Sequence, residues 1–369
     1  MKKEIKLQHP GKGEYRMITS FNADNFRCFK RISLDDLRTI NIVVGSNASG
    51  KTALLEAIRI ASAAIPGVVL ILNQSRGINF VLPPNPSREV FEAPWSTMFF
   101  NQDFENTISF SFTDSVPVKR SVKIFFDKTK AFTSIPSPGI KGDTGSSNIV
   151  PLKFERNQNG KKSEVYATVT AQGFPFLQAL PELGPATGFY AHTQTTNSQE
   201  IARLFSQLSL DGKEKPIVKT IQKVFPFIQD LSVLSPAGQV AIYVSQLDSS
   251  IKIPATMVSA GVNKFLSIII GLLTHRQSVA LVDEIDNGFY FKTLPEIWSI
   301  LLRLTKESEA QIFASTHSWE CLKAAVPTIH EDVNAFTLIR TSKDVAGCTA
   351  EVVRGIDVVS AIEANIEVR

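Results

Sequence analysis

The sequence predicts an α/β fold with a mostly parallel central sheet, an antiparallel β subdomain and a helical lobe. Three observations predict it. The apolar run Ile40–Val44 passes through Gly45-Ser46-Asn47-Ala48-Ser49-Gly50-Lys51-Thr52 into a helical pattern over residues 53–64. That is the strand, glycine-rich loop and helix of a phosphate-binding loop. From Val279 onward, strand-like runs at 279–282 and 311–314 alternate with helical periodicity at 294–305 and 319–325, the pattern of parallel strands joined by crossover helices. Between these blocks, short strand-like runs at 107–112, 121–126 and 164–170 are separated by turn-rich sequence.

In chain order, residues 1–17 carry Lys2, Lys3, Lys6, Lys12 and Arg16 with little apolar content and read as a mobile tail, with Met17 an alternative start. Strand patterns follow at 18–26, 32–37 and 40–44. The helix after the glycine-rich loop is expected to stop at Pro66. Residues 74–106, rich in Pro, Asn and Gly, are expected to be irregular, and 134–146 reads as a turn-rich loop. Residues 198–227 read as helical, with Ile201, Leu204, Phe205, Leu208, Ile217, Ile221 and Phe225 on the apolar face. Strands at 228–233 and 239–244 precede a helix at 261–275 that is apolar on most faces and therefore buried. Strands at 335–341 and 349–354 and a short helix at 358–364 close the chain. The expected division is 18–174 for the first part of the head, 175–260 for an inserted helical lobe and 261–369 for the second part. Prolines and short strands across 74–260 exclude a long coiled-coil arm.

The 369 residues, 43% of them hydrophobic and 20% charged, suffice for a large core. A net charge of +4 without a dense Lys/Arg run permits nucleic acid as a partner without requiring it. The candidate phosphate-facing residues are Lys119, Arg120, Lys123, Lys128 and Lys130. Cys28, Cys321 and Cys348 have neither paired nor metal-ligand spacing, so a reducing, cytoplasmic compartment is expected. No secretory signal is read. The longest apolar stretch, 60–72, is broken by Pro66 and Gly67, so no membrane insertion is expected.

In the loop, Gly45 and Gly50 allow the backbone to curl so that successive N–H groups point inward, and the helix N-terminus adds partial positive charge. Lys51 is placed to reach the terminal phosphates of a nucleotide, and the Thr52 hydroxyl to ligate magnesium. A nucleoside triphosphatase also needs an acidic group for the metal and a base for water. The apolar strand ending in Asp283-Glu284 supplies both: Asp283 for the metal, Glu284 to take a proton from the attacking water. One strand later, Ser315-Thr316-His317 brings a histidine to the same sheet edge, where it can donate to the terminal phosphate or to that water. Ser259-Ala260-Gly261 opens the buried helix as a second anion site, although an N-cap explains Ser259 equally well. Asn263-Lys264-Phe265-Leu266 lacks the aspartate of a guanine-recognition motif, which points to ATP over GTP.

The order of these motifs resembles the heads of ATP-binding-cassette-type ATPases, the class shared by transporter cassettes, chromosome-maintenance proteins and recombination-repair proteins. More closely, Phe26-Arg27-Cys28-Phe29, the Gly45–Thr52 loop, Ser259-Ala260-Gly261, Asp283-Glu284-Ile285-Asp286-Asn287-Gly288 and Ser315-Thr316-His317-Ser318 resemble stand-alone bacterial ATPases related to the OLD (overcoming lysogenization defect) group. The resemblance covers residues 18–369. It implies that two heads sandwich ATP, with Ser259 and Gly261 of one meeting the phosphate held by Lys51 of the other. It also implies that Asp286 and Asn287 lie at the dimer seam and that Arg27 and Phe29 lie near the nucleotide. Many such relatives act in phage defence with a nuclease or another effector.

The pattern departs from the family in three places. Ser-Ala-Gly-Val-Asn is a degenerate signature, Phe289-Tyr290-Phe291 stands where a Leu-His pair is frequent, and the metal-sensing glutamine has two candidates, Gln102 and Gln172. The expected function is an ATP-hydrolysing homodimer or higher homo-oligomer that switches a separately encoded effector, a nuclease among the candidates, or nucleic acid, in phage defence or DNA repair. The alternatives are a transporter's nucleotide-binding subunit and a nucleotide-sensing scaffold with little turnover.

Overall fold

Two kinds of strand are visible in the burial of the chain. In the computed structural model, Ile108–Asp114 alternates buried and half-buried residues, whereas Ile40–Val44, Val279–Val282 and Gln311–Ser315 are buried throughout. Alternation belongs to a sheet with one wet face, and continuous burial to a sheet covered on both. The structure describes residues 17–80, 86–115, 118–130, 132–133, 148–169, 175–177, 181–190, 198–364 and 366.

The chain begins with β1 (Ile18–Phe26), β2 (Phe29–Leu34) and β3 (Ile40–Val44), then α1 (Lys51–Ala63), α2 (Pro66–Ser75) and α3 (Arg88–Ser96). Next come β4 (Ile108–Asp114), β5 (Lys119–Phe126), β6 (Phe132–Thr133), β7 (Asn148–Ile149), β8 (Leu152–Gln158), β9 (Lys161–Val169), β10 (Pro175–Leu177) and β11 (Thr187–Tyr190). Helices α4 (Ser198–Leu210) and α5 (Glu214–Val224) lead to β12 (Ile228–Leu234), β13 (Ala241–Gln246) and β14 (Ser249–Pro254). The last part holds α6 (Ala255–Val258), α7 (Ala260–Thr274), β15 (Val279–Val282), α8 (Leu294–Ser308), β16 (Gln311–Ser315), α9 (Trp319–Glu331), β17 (Phe336–Asp344), β18 (Gly347–Arg354) and α10 (Gly355–Glu363).

The central sheet runs β11-β15-β16-β3-β17-β18, parallel except for the β17–β18 hairpin at its edge. An antiparallel sheet, β10-β9-β8-β5-β4-β1-β2, lies apart from it in the chain's pairing. Successive residues of the central strands face opposite layers: Ile40, Ile42 and Val44 pack with α4, α5 and α7 to α10, while Val43 packs with α1 to α3 and the antiparallel sheet. Helix α1 therefore lies between two sheets, and residues from Lys51 to Ala63 are buried at all but Thr52 and Arg59. Its alanines 53, 57, 61 and 63 let both sheets approach closely. Gln311 joins the layers in the core: its side chain accepts the Ile18 N–H at 2.9 Å and donates to the carbonyls of Ile18 and Arg38 at 2.9 and 2.8 Å.

Several elements depart from expectation. Pro66 stops α1 but also opens α2 from its first turn, where the missing N–H costs nothing. The stretch expected to be irregular contains α3, capped by Ser87, whose hydroxyl accepts the Val90 N–H at 3.3 Å. The helical run expected at 198–227 is two helices, broken at Gly212 with φ +73°. The helical lobe expected at 175–260 is a mixed segment: β10 joins the antiparallel sheet, β11 joins the central sheet, and β12-β13-β14 forms its own antiparallel sheet. The tail at 1–17, apart from Met17, and the loop at 134–146 lie outside the described residues, as does Gln172. Gln102 is exposed on a short 3-10 turn. Among the described residues, no helix is long and apolar enough to cross a membrane.

Arg120, expected as a phosphate-facing residue, is instead buried against Asp114 at 2.6 Å, with 1% and 0% of the two side chains exposed. Removing one partner of such a pair strands the other charge. Asp114→Ala is expected to cost about 3–5 kcal/mol, read as a lowered urea midpoint, whereas the joint change Asp114→Leu with Arg120→Met costs much less.

Candidate active site

Three parallel strands end side by side. The pairings Val282↔Ala314 and Ser315↔Val43 bring the last residues of β15, β16 and β3 into register, and the glycine-rich loop leaves from the same edge. The loop's shape depends on its glycines. Gly45 has φ +147° and Gly50 φ +102°. A Cβ on Gly45 would lie 2.3 Å from the Thr341 carbonyl oxygen, and one on Gly50 would lie 2.7 Å from the Phe29 ring and 2.9 Å from Cys28 Sγ. Thr341 of β17 braces the loop: its hydroxyl donates to the Val44 carbonyl at 2.9 Å and shares a 2.6 Å hydrogen bond with Ser49. Ser46, Asn47 and Ala48 are left exposed at the loop's tip.

Lys51 curls over this loop and donates from Nζ to the carbonyls of Gly45 and Ser46 at 2.8 and 2.9 Å. Burial pulls its pKa below the ordinary value, opposed by the nearby carboxylates of Asp283, Glu284 and Asp286. The Thr52 hydroxyl donates to both carboxylate oxygens of Asp283, at 3.1 and 2.9 Å. Asp283 also accepts the Ser315 hydroxyl at 2.6 Å. Thr52 and Asp283, predicted as metal ligands 231 residues apart, thus meet. Their hard oxygen donors fit magnesium, which binds through one or two protein groups, phosphates and water. Among the described residues, no group of three or more His, Cys, Asp and Glu side chains could hold a metal ion.

Glu284 follows with φ +46°, a conformation that non-glycine residues rarely adopt. Its amide donates to Ser315 Oγ at 2.8 Å, and the Ile285 amide donates to the Ser315 carbonyl at 2.8 Å. Lys264 donates to the carbonyls of Asp283 and Glu284 at 3.0 and 2.5 Å. Burial brings the Lys264 pKa down to about 8, against the raising effect of Asp286, Asp283 and Glu284. The Thr316 hydroxyl donates to Asp286 at 2.6 Å, and the next residue, His317, is exposed at the sheet edge.

Other predicted residues sit elsewhere. Ser259 caps α7 by accepting the Val262 N–H at 3.0 Å. Gly261 packs on the Gly288 carbonyl, which a Cβ would approach to 2.1 Å. Arg27, expected near the nucleotide, forms an ion pair with the buried Glu56 of α1 at 2.9 Å. Arg76 takes the same carboxylate from the other side at 2.9 and 3.0 Å. Phe29 does lie against the loop, at Gly50. Of the expected basic residues, Arg120 is paired as above, Lys128 pairs with Glu105 at 2.6 Å and Lys130 donates to the Tyr166 hydroxyl at 3.0 Å. Sequence reasoning missed Thr341, Ser315 as a bridge, and Lys264. Ser315 was legible as the strand's last residue, but nothing in the sequence points Lys264 at two carbonyls 19 and 20 residues away.

Residues 17–164 match the family model described as "AAA ATPase domain", and residues 183–321 match that described as "AAA domain, putative AbiEii toxin, Type IV TA system". Both models describe AAA-type domains, and each match spans about two fifths of the chain. The chain is 20% identical over 342 residues to an ATP/GTP phosphatase of Helicobacter pylori, covering 85% of the chain and 89% of that protein. It is 30% identical over 98 residues to an uncharacterized protein of Methanocaldococcus jannaschii, covering 24% of the chain and 45% of that protein. Its fold is that of an Smc head solved bound to the C-winged helix domain of ScpA, with a TM-score of 0.50, 11% identity, and coverage of 91% of this chain and 98% of that one. The fold is thus the α/β fold of an Smc head with a phosphate-binding loop.

Gly50→Ala tests the loop, because the substitution combines an unfavourable φ with a clash at Phe29. Titration with a fluorescent ATP analogue should show affinity reduced about tenfold or more, a loss of at least ~1.4 kcal/mol. Gly160→Ala, whose Cβ meets nothing within 4 Å, should leave affinity unchanged.

Proposed function

We propose that the protein binds ATP with magnesium and hydrolyses its terminal phosphate, and that two copies close on ATP to switch a separately encoded effector in the cytoplasm. The observation that carries this reading is the meeting of Thr52 with Asp283 at 2.9 Å, next to Glu284 in its constrained turn. Lys51, resting on two loop carbonyls, exchanges them for phosphate oxygens when the nucleotide arrives. Thr52 and Asp283 would hold magnesium, which when bound neutralises charge developing on the phosphates. Glu284 takes a proton from water as the water oxygen bonds to the terminal phosphorus and the bond to the ADP oxygen breaks. His317, exposed at the same edge, donates a hydrogen bond to the phosphate or orients that water.

Closure by a second copy rests on the first turn of α7 and the loop beside it. Ser259 and Gly261 there would meet the partner's phosphate, with Asp286 and Asn287 at the seam. Met257, Tyr290 and Phe291 are 77%, 59% and 55% exposed around this region, apolar surface that a second copy would cover. The phosphatase name of the Helicobacter pylori relative supports hydrolysis. The toxin–antitoxin description of the second matching model supports a role in defence alongside a partner protein.

Glu284→Gln is expected to lower hydrolysis about 100-fold or more while leaving ATP binding intact. Light scattering with ATP and magnesium should then show a stable dimer; a monomer under those conditions would sink the two-headed reading.

A further inference from the structure

The loop that carries Glu284 is fastened to one face of α7 at both ends. At its start, Lys264 Nζ holds the carbonyl oxygens of Asp283 and Glu284 at 3.0 and 2.5 Å. At its end, Gly288 packs backbone to backbone on Gly261, so that a Cβ on either residue would come within 2.1 or 2.9 Å of the other's backbone. Gly261 and Lys264 are three residues apart and share a helix face. Residues 283–288 therefore stretch between two anchors on the first turns of one helix.

Between those anchors lies a backbone that does not hold itself. Glu284 sits at φ +46°, and such a conformation persists only where neighbours over-determine it. Its amide is held by Ser315 Oγ at 2.8 Å, and its carbonyl accepts the Asn287 N–H at 2.9 Å together with the Lys264 ammonium. Burying a lysine amine is costly when only packing is needed, and an apolar chain of similar length would fill the space more cheaply. The ammonium is the group that fixes two successive carbonyls at once.

We propose that Lys264 is the positioning residue for Glu284, and that it makes the carboxylate of one head answer to whatever meets the N-terminus of that head's α7. This rests on the reading of Glu284 as the base and of the Ser259–Gly261 turn as the contact with a second head. Closure that shifts α7 then delivers the shift to Glu284 through Lys264 and Gly261, so hydrolysis waits for the partner.

The test is Lys264→Met, which keeps the stem and removes the ammonium. Single-turnover hydrolysis should fall about thirtyfold or more while the dissociation constant for ATP stays within about threefold. Hydrogen exchange at the amides of Glu284 and Asn287 should quicken about tenfold or more, with the amides of α1 as protected as before. Lys264→Gln, with one remaining donor arm, should fall between. Unchanged exchange at 284–287, hydrolysis within twofold of wild type, or a loss of protection that spreads to α1 would each overturn the proposal. If the unaltered protein binds ATP without turning it over, the reading of Glu284 fails, and the exchange measurement decides Lys264 on its own.

Discussion

The carboxylate of Asp283 is where the fold and the site depend on the same atoms. It accepts the Thr52 hydroxyl from the start of α1 and the Ser315 hydroxyl from the end of β16, and it stands at the end of β15. One charged group thus ties two strands of the central sheet to the helix lying on them. In a buried setting, an acceptor with two oxygens needs its lone pairs met, and the two hydroxyls contribute to that. The same two oxygens are the ones a magnesium ion would take. A metal bound there would replace one set of partners with another at an already assembled point.

The helix between the sheets explains where charge is tolerated in the core. α1 is buried on nearly every side, yet it carries Glu56, which takes Arg27 from the β1–β2 turn and Arg76 from the end of α2. A single buried carboxylate serving two guanidiniums joins three elements at the back of the phosphate loop. Arg27, predicted as a site residue, is thus engaged with Glu56. Burial lowers the Arg27 pKa, with Glu56 opposing, and its φ of +50° holds the backbone so that Cys28 and Phe29 face Gly50. The segment acts on the loop through packing. The Cys28 thiol, pushed up to about 12 chiefly by burial and then by its neighbour Cys348, behaves there as a small apolar filler.

Much of this was readable from the chain because it follows local rules. The octet from Gly45 to Thr52 announces its own backbone, and the apolar β15 with the apolar centre of β16 fits a parallel sheet covered on both faces. The arrival of Asp283 at the sheet edge beside the loop followed from strand order, whereas its hydrogen bonds to Thr52 did not. What escaped depended on distance in the chain. α2 and α3 lie in sequence rich in Pro, Asn and Gly, where Pro66 starts a helix and Pro94 sits inside one, and packing against α1 and the antiparallel sheet outweighs weak propensity. β11 is short and far in sequence from β15, so its pairing is set by the sheet edge it completes. Lys264 lies on an apolar helix, and its partners are carbonyls, which carry no sequence signal.

The glycine-rich loop is shaped by the chain's own contacts. Phosphate-binding loops turn N–H donors inward, and such a nest with no anion in it concentrates partial positive charge. Lys51 adds a full charge to the same place. Here its ammonium is spread over the carbonyls of Gly45 and Ser46, the dipoles at the loop's own start, while Asp283, Glu284 and Asp286 offset it from the far side. Thr341 and Ser49 meanwhile keep the backbone curled. An incoming phosphate therefore meets a loop already shaped, and it must win the ammonium from two neutral carbonyls, weaker partners than an anion. The exchange favours binding without first having to order the chain. The free energy of nucleotide binding would then be left for moving larger parts, and the loop carrying Glu284, fastened to α7, would move with that helix.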